Sequence, residues 1–502
     1  MEGNRTEGDT VGDDVAEGRA VEETLDPADW RAMRDLGHRM VDDMMGWLET
    51  ARERPVWQPV PDGVKQALRE PLPREGQGAE RAYRDFRELV LPYPMGSYHP
   101  RFWSWVIGTG TPLAMLAEML AAGMNSNLGG GEHASAYVEE QVLAWCREMT
   151  GFPASASGLL VSGSSMGNLV GLAVARSARA GFDVRRRGLA GAPARLAVYA
   201  SSEAHSSIQK AVELLGLGAD SLRQAPVRDD FTVDVEALAR MIAADRAAGL
   251  RPICIVGNAG TVNTGAVDDL PALADLAARE GLWYHVDGAF GTLAGLAPGL
   301  APLVAGMERA DSLTFDFHKW LYLPYEIGIV LVRDPQAHRN AFSLTPEYLV
   351  HAERGLAAGV WFSDYGVQLS RAFRALKAWM HLKEHGVEKL GRLIAQNAAQ
   401  ARYLASLVER SGELELMAPV PLNIVCFRYR AAGLAEPALD ALNQELLIRL
   451  QEGGVAAPSS TRLRGRLALR VAITNHRSRR DDFDAMIAEV LRIGRGLAAG
   501  GR

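Results

Sequence analysis

Residues 251 to 290 read RPICIVGNAGTVNTGAVDDLPALADLAAREGLWYHVDGAF. An apolar run comes first, a helical pattern follows in LPALADLAARE, and a second apolar run, LWYHV, comes next. The alternation extends from about residue 110 to 390, with further strand patterns in ARLAVYAS, DSLTFDF and GIVLVRD. Strands that alternate with helices predict an α/β fold with a mostly parallel sheet covered on both faces.

The rest of the chain divides around this region. Residues 1–22 are rich in Gly, Asp and Glu and predict a disordered acidic tail. Residues 23–110 predict helices with little core of their own, the first starting at Asp26 and Pro27, packed on the main domain or on a second subunit. Residues 111–394 are predicted to form the large domain, and residues 395–502 a smaller α+β unit.

The composition excludes several classes of protein. The chain has 502 residues, 48% of them hydrophobic, and a net charge of −7, which argues against a nucleic-acid or anionic-membrane surface. Its three cysteines, Cys146, Cys254 and Cys426, are too far apart to suggest zinc or a disulfide framework, so we predict no metal and a cytoplasmic protein. No signal peptide is recognised, and no apolar run approaches the roughly 18 residues of a membrane span.

Four chemically suggestive features follow predicted strands, where ligands bind in such sheets. The turn VSGSSMGN (161–168) opens a helix whose N–H groups suit a phosphate, although a plain helix start has the same pattern. His205 and Asp287 stand at two strand ends, where a structural histidine and a turn-capping aspartate are the alternatives. Lys319 ends the strand DSLTFDF, and its alternative is a surface lysine.

Together these features are the parts that bind pyridoxal 5'-phosphate. A lysine amine forms a Schiff base with the aldehyde, and a carboxylate keeps the pyridine nitrogen protonated. A phosphate cradle and a histidine complete the set. The sequence therefore predicts a pyridoxal-phosphate enzyme.

The motifs resemble those of the group II pyridoxal-phosphate decarboxylases, the family of aromatic-L-amino-acid decarboxylase and glutamate decarboxylase. The blocks that carry the resemblance are HPRFWSWV, HASAYVEEQVLAW, GLLVSGSSMGNLVGLAVAR, AHSSIQKA, GNAGTVNTGAVDDL, WYHVDGAFG, DFHKW, LTPEYLVH, SRAFRALKAW and LRVAITNHR. The resemblance implies fold type I, the aspartate-aminotransferase-like fold, with a seven-stranded sheet. It also implies an intertwined homodimer with its active site at the subunit interface and an N-terminal helical segment wrapped over the partner.

The resemblance also implies residue roles. Lys319 would form the internal aldimine, Asp287 would pair with the pyridinium nitrogen, and His205 would stack on the ring. In the segment LTPEYLVH, Tyr348 would protonate the substrate carbon after carbon dioxide leaves. The implied cofactor-binding residues are Ser164, Ser165, Met166, Gly167, His205, Thr261, Asp287, Ala289, His318 and Lys319.

The predicted reaction is decarboxylation of an L-amino acid to its amine, with an aromatic or other bulky substrate favoured. Trp103 and Trp105 in RFWSWV resemble the aromatic branch, although each suits a core equally well. Asn127, Gly129 and Glu132 in NSNLGGGEH would edge a roomier and more polar pocket, and DFHK resembles 2,4-diaminobutyrate decarboxylases. His351 completes the predicted substrate residues, and a diamino or acidic substrate is the alternative.

Three rival functions stay open. Some relatives that lack the loop tyrosine or the stacking histidine make an aldehyde oxidatively, but Tyr348 and His205 are present. Arg470, in LALRVAIT, is placed as the carboxylate clamp of a transaminase would be, and carbon–sulfur lyase chemistry is a related option. A non-enzymatic scaffold would be expected to lack Lys319 or Asp287.

Overall fold

The computed structural model describes residues 23–344 and 352–500. The predicted tail, residues 1–22, lies outside the described residues. Two sheets organise the chain, one of seven strands and one of five. No helix among the described residues has the length and hydropathy needed to cross a bilayer.

The strands alternate with helices as the sequence predicts. The strands are β1 (Phe102–Trp103), β2 (Ser157–Val161), β3 (Leu196–Ser201), β4 (Leu222–Ala225), β5 (Arg251–Asn258), β6 (Trp283–Asp287), β7 (Ser312–Asp316), β8 (Gly328–Val332), β9 (Leu414–Leu416), β10 (Ile424–Tyr429), β11 (Ala457–Leu463) and β12 (Arg466–Ala472). The helices are α1 (Trp30–Glu49), α2 (Asp62–Ala67), α3 (Ala79–Asp85), α4 (Pro112–Met124), α5 (Ala134–Thr150), α6 (Ser164–Arg179), α7 (Val184–Arg187), α8 (Ser206–Leu214), α9 (Val235–Ala247), α10 (Leu270–Glu280), α11 (Phe317–Trp320), α12 (Pro335–Phe342), α13 (Ala375–His385), α14 (Val387–Arg410), α15 (Glu436–Glu452) and α16 (Arg480–Gly500).

The seven-stranded sheet has the order β2-β8-β7-β6-β5-β3-β4. Only β8 runs antiparallel to its neighbours, β2 and β7, while the other pairs are parallel. Strands β6 to β8 are buried along their whole length, and β8 is apolar throughout, whereas β6 and β7 also carry buried polar side chains. The predicted α/β fold with a mostly parallel seven-stranded sheet is confirmed.

Several helices begin at an aspartate whose side chain accepts hydrogen bonds from free backbone N–H groups. Asp234, Asp269 and Asp334 cap α9, α10 and α12 in this way. Helix α1 begins at Trp30, because the Asp29 side chain accepts from the backbone N–H groups of Arg31 and Ala32. The prediction of a start at Asp26 is therefore wrong by one helical turn.

The five-stranded sheet, in the order β1-β11-β12-β10-β9, forms the C-terminal unit with its own core. Its edge strand β1 comes from the segment before residue 110 and pairs in parallel with β11. Asn397 on α14 contacts the segment that follows β7, because its Oδ1 accepts from Trp320 Nε1 at 3.1 Å and from the Tyr322 hydroxyl at 2.8 Å. The division at residues 110 and 394 stays a prediction.

Candidate active site

The carboxyl ends of the parallel strands meet at one edge of the large sheet, and most of the predicted site residues follow them. Ser164 follows β2, His205 follows β3, and Thr261 follows β5. Asp287 is the last residue of β6, and Lys319 comes three residues after the end of β7. This edge is where open α/β sheets bind their ligands.

Helix α6 begins at this edge without a side-chain cap, its N-cap residue being Gly163. Its first turn is packed closely on β7, since a Cβ added to Gly167 would lie 1.9 Å from Thr314 Oγ1. Ser164 is buried and Ser165 is exposed, with Met166 between these extremes. The N–H groups of Met166 and Gly167 donate to the Gly163 carbonyl, and the Ser164 N–H donates to Asp316 Oδ1. The positive end of the helix dipole still makes this end a suitable site for an anion.

Lys319 is partly buried, with its side chain 21% exposed, in the short helix α11. Its Nζ lies 3.2 Å from Asp316 Oδ2, so a carboxylate from the end of β7 is its ion-pair partner. The other oxygen of Asp316 accepts from the backbone N–H of Ser164 at 2.7 Å. Lys319 is therefore a partly buried lysine rather than a surface lysine, and Asp316 links its ammonium to the start of α6.

His318 is buried beside Lys319. Its Nδ1 lies 2.9 Å from the Ile327 carbonyl oxygen, and its ring packs against Tyr325 with centroids 4.5 Å apart. Burial lowers the pKa of His318, although Asp316 partly opposes this. The ring is therefore neutral at neutral pH.

Asp287 is 5% exposed and is positioned by α6. Its Oδ2 accepts from Asn168 Nδ2 at 2.9 Å, and its Oδ1 accepts from the Ala289 N–H at 3.1 Å. The Asn168 Oδ1 is 2.8 Å from Nε2 of His285, whose Nδ1 lies 2.7 Å from Ser312 Oγ. Two donors therefore fix the orientation of the carboxylate.

Burial lowers the pKa of His285 to about 4, so the ring is neutral at pH 7. Ser312 Oγ already accepts from Trp283 Nε1 at 2.8 Å, and its own hydroxyl is free to donate to His285. The imidazole then carries its proton on Nε2 and donates to Asn168. This series of hydrogen bonds directs the oxygen of the Asn168 amide to His285 and its nitrogen to Asp287.

His205 N-caps α8, and its Nδ1 lies 2.8 Å from Ser207 Oγ. The hydroxyl of Ser207 also accepts from Asn168 Nδ2 at 2.9 Å, which links His205 to the Asp287 network. The ring keeps an exposed face, and the atoms packed around it lower the pKa of His205 by desolvation, which Asp287 partly opposes and Lys319 reinforces. His205, Asp287 and Lys319 thus share one electrostatic environment.

Two further predicted cofactor residues lie at the same edge. Thr261 is buried, its N–H donates to the Ala266 carbonyl, and its hydroxyl is 3.1 Å from that of Thr264. Ala289 comes two residues after Asp287 and is partly buried. A Cβ on the intervening Gly288 would lie 1.8 Å from Thr292 Oγ1, so a larger side chain has no room there.

The predicted substrate residues that the structure describes lie in two segments, residues 103–105 and residues 127–129. Trp103 is fully buried in the C-terminal unit, where it stacks on Phe483 at 4.7 Å and donates to Ser478, so it is a core residue there. Trp105 is 53% exposed, and its N–H donates to Ser459 Oγ.

Asn127 and Gly129 belong to a tightly supported turn. Asn127 Oδ1 accepts from the N–H groups of Gly129 and Arg371, and a Cβ on Gly129 would lie 2.2 Å from the Leu369 carbonyl oxygen. Their contacts are those of a loop scaffold. Tyr348 and His351 lie outside the described residues.

Arg470 is a buried cation, 4% exposed, on β12. Its Nη1 donates to Ser459 Oγ at 3.1 Å, while Nε and Nη2 have no hydrogen-bond partner among the described residues. The same Ser459 contacts the backbone of Trp105, and the neighbouring Cys426 contacts the loop at Asn263. Arg470 therefore lies between the C-terminal sheet and the loop that carries Thr261.

Sequence reasoning missed Asn168, Ser207, His285 and Asp316. Asn168 lies inside the quoted motif VSGSSMGN, one turn after Ser164, and Asp316 begins the motif DFHKW. His285 is two residues before Asp287, so the two side chains share one face of β6. Spacing was therefore the available signal for Asn168 and His285.

These residues fit pyridoxal 5'-phosphate. The start of α6 offers the positive end of a helix dipole and two serine side chains for a phosphate, Lys319 offers a primary amine, and Asp287 offers a fixed carboxylate. The two residues after Asp287, Gly288 and Ala289, are small, so they place no bulky side chain beside this carboxylate.

Comparisons with known proteins agree with this fit. The family model "pyridoxal-dependent decarboxylase conserved domain" matches residues 61–430. The aromatic-L-amino-acid decarboxylase of Bacillus atrophaeus is 32% identical over 458 residues, covering 90% of this chain and 93% of that protein. Tryptophan decarboxylase 1 of Oryza sativa subsp. japonica is 31% identical over 474 residues, covering 90% and 91%.

Among solved structures, that of Oryza sativa TDC with PLP and tryptamine is similar with a TM-score of 0.86 and 29% identity, covering 94% of this chain and 99% of that chain. The similarity in sequence and in structure extends over nearly the whole chain. The chain therefore belongs to the pyridoxal-dependent decarboxylase family, and it is an amino acid decarboxylase of fold type I with pyridoxal 5'-phosphate as its cofactor.

Proposed function

We propose that this enzyme converts an L-amino acid with an aromatic or otherwise bulky side chain into its amine and carbon dioxide. The observation that carries the proposal is the meeting of Lys319, Asp287 and His205 at the start of α6. The relatives named for aromatic amino acids and for tryptophan support the substrate class.

Each of the three residues has a distinct role in this proposal. When bound, the cofactor supplies an aldehyde and an electron-withdrawing pyridinium ring. Lys319 supplies the amine that bonds to the aldehyde, and Asp287, oriented by Asn168, holds a proton at the pyridine nitrogen. His205 covers one face of the ring, and its link to Ser207 fixes the direction of its Nδ1.

The remaining cofactor contacts surround the ring and the phosphate. The hydroxyls of Ser164 and Ser165 and the backbone at Met166 and Gly167 would hold the phosphate at the start of α6. His318 supports this end of the site. Ala289 would pack on the ring, and Thr261 would lie near its phenolic side.

The proton that replaces carbon dioxide comes, in this proposal, from the hydroxyl of Tyr348 to the substrate Cα. The motif LTPEYLVH supports this role, and His351 belongs to the same segment. Because a proton is delivered at this carbon, the product is the amine.

We further propose that residues 23–110 wrap over a second copy of the chain, giving a homodimer. Large apolar side chains are exposed along α1 and α4, which is unusual for a surface that stays in water. They are Trp30, Met33, Met40, Met119, Leu120 and Met124.

The test is incubation of the purified protein and pyridoxal phosphate with single amino acids, reading amine and carbon dioxide by mass spectrometry. Tryptophan, tyrosine and phenylalanine form one group, and 2,4-diaminobutyrate, ornithine and glutamate form the other. Amine from the first group alone supports the proposal, and amine from the second group alone assigns the diamino or acidic alternative. An aldehyde with peroxide and ammonia would assign oxidative chemistry, and Lys319→Ala gives the background.

A further inference from the structure

The carboxylate of Asp316 occupies the position where the start of α6 offers its donors. Its Oδ1 accepts from the Ser164 N–H at 2.7 Å, and its Oδ2 lies 3.2 Å from Lys319 Nζ. Asp316 is 2% exposed. An internal anion therefore uses both a helix N–H and the ammonium of the proposed cofactor lysine.

The surrounding backbone leaves space for this carboxylate and little more. A Cβ on Gly328 would lie 2.5 Å from Asp316 Oδ1, and one on Gly163 would lie 3.8 Å from the same atom. Asparagine has the same shape as aspartate, so it fits the same space. The Asp316 N–H also donates to the Ala289 carbonyl, which fixes the backbone.

The charges around Asp316 do not accommodate a second anion. Lys319 is its cation at contact distance, and His318, 3.6 Å away, is neutral because burial lowers its pKa. His205 and Asp287 complete the electrostatic environment, the first desolvated and the second a carboxylate. A phosphate at the same helix end adds negative charge beside a buried carboxylate, and like charges at such distances repel strongly.

We propose that Asp316 is an internal competitor of the cofactor's phosphate, a residue that weakens the binding of phosphorylated pyridoxal compounds. The proposal rests on the proposed function, because it takes the start of α6 as the phosphate site. Asp316→Asn keeps the acceptor for the Ser164 N–H and removes the charge. The phosphate then meets an amide donor in place of a carboxylate.

The test uses pyridoxamine 5'-phosphate and pyridoxamine, which lack the aldehyde and make no bond to Lys319. Their dissociation constants are measured by calorimetry on the cofactor-free full chain. In Asp316→Asn we expect pyridoxamine 5'-phosphate to bind about tenfold more tightly and pyridoxamine to change by less than about twofold. A loss of packing alone would change both ligands alike.

The control is Asp245→Asn, the same change at a buried aspartate that is paired with Arg223 on the far side of the sheet. It should leave the ratio of the two constants unchanged. If Asp316→Asn fails to fold, as judged by circular dichroism, Asp316→Ala is used for the two ligands, a variant that removes the charge together with the acceptor for the Ser164 N–H. An unchanged or smaller preference for the phosphorylated ligand would overturn the proposal. Failure of the wild-type chain to bind pyridoxal phosphate at all would refute the proposed function as well.

Discussion

Asn168 is the residue on which the orientation of Asp287 depends. Its amide nitrogen donates to both Asp287 and Ser207, and its oxygen lies 2.8 Å from Nε2 of His285. Replacement by alanine leaves these buried groups without partners, which costs about 1–3 kcal/mol for each unsatisfied group. We expect Asn168→Ala to weaken pyridoxal phosphate binding about tenfold or more, measured by equilibrium titration of the visible absorption.

A matched control is Asn443→Ala in the C-terminal unit. Asn443 is also fully buried and also makes three hydrogen bonds, to the Tyr429 N–H and carbonyl and to the Leu439 carbonyl. It should lower the thermal unfolding midpoint without changing cofactor affinity. Equal affinities in Asn168→Ala and wild type would refute the role of Asn168.

Tyr348 carries a second prediction at this scale, based on its place in LTPEYLVH. Loss of a positioned proton donor costs about 100-fold to 10,000-fold in rate. We therefore expect Tyr348→Phe to lower amine formation by at least about 100-fold while leaving pyridoxal phosphate affinity unchanged. The control is Tyr403→Phe, at a partly buried tyrosine on α14 that donates to Asp484, and it should keep the wild-type rate. Amine formation at the wild-type rate in Tyr348→Phe would exclude this tyrosine as the donor.

Helix α6 packs on the large sheet beside the candidate site. Glycine at position 171 allows the helix to lie close to β6. A Cβ on Gly171 would lie 2.6 Å from His285 Cε1, so Gly171→Ala forces α6 and β6 apart. Overpacking of this kind costs about 1–3 kcal/mol. We expect a lower thermal midpoint of the cofactor-free protein and weaker cofactor binding.

Gly37 on α1 provides the control, because a Cβ there meets nothing within 4 Å. Gly37→Ala should leave cofactor affinity unchanged and raise the midpoint slightly, since alanine favours a helix by up to about 1 kcal/mol over glycine. If Gly171→Ala and Gly37→Ala had the same thermal midpoint and the same cofactor affinity, the close contact between Gly171 and His285 would not determine either quantity.

Sequence patterns predicted the elements well and their partners less well. The strand-end positions of Asp287 and Lys319 follow from local apolar runs, which is why they could be placed in advance. The bond between Ser164 and Asp316 joins residues 152 positions apart, and nothing local encodes it. The same reason explains β1, a two-residue strand that exists only because β11 lies beside it. The aromatic pattern RFWSWV predicts a substrate contact for Trp103, but such a pattern does not reveal that the side chain packs in the core of the C-terminal unit.

At the scale of the whole molecule, the exposed apolar side chains of α4 predict its assembly. Leu120 and Met124 are 47% and 56% exposed. The double variant Leu120→Glu/Met124→Glu places two charges in the proposed interface, so we expect a monomer by light scattering and loss of activity. Leu214→Glu, 75% exposed on α8, should remain a dimer. An unchanged mass for the double variant would place the interface elsewhere.

Acid should destabilise the whole molecule before its carboxylates titrate. Four histidines are fully buried, and His476 is partly buried. Burial, the largest cause, lowers the pKa to about 4 for His99, His285 and His476 and to about 3 for His338 and His381. Histidine in an unfolded chain has a pKa near 6.5. Between these values the unfolded state binds more protons, so stability is complete above about pH 7 and declines as the pH falls from about 6.5 toward 4.

Each of these histidines contributes about 1 kcal/mol to the difference in unfolding free energy between pH 7 and pH 5.5. We therefore expect the thermal midpoint of the cofactor-free protein to fall across this interval. His381 on α13 is a suitable probe, because its Nε2 has no hydrogen-bond partner among the described residues and His385 and His476 are its neighbours. His381→Gln should show a smaller fall than wild type, whereas the exposed His38→Gln on α1 should show the same fall. If the midpoint fell equally with pH in all three proteins, the pKa of His381 would not differ between the folded and unfolded states.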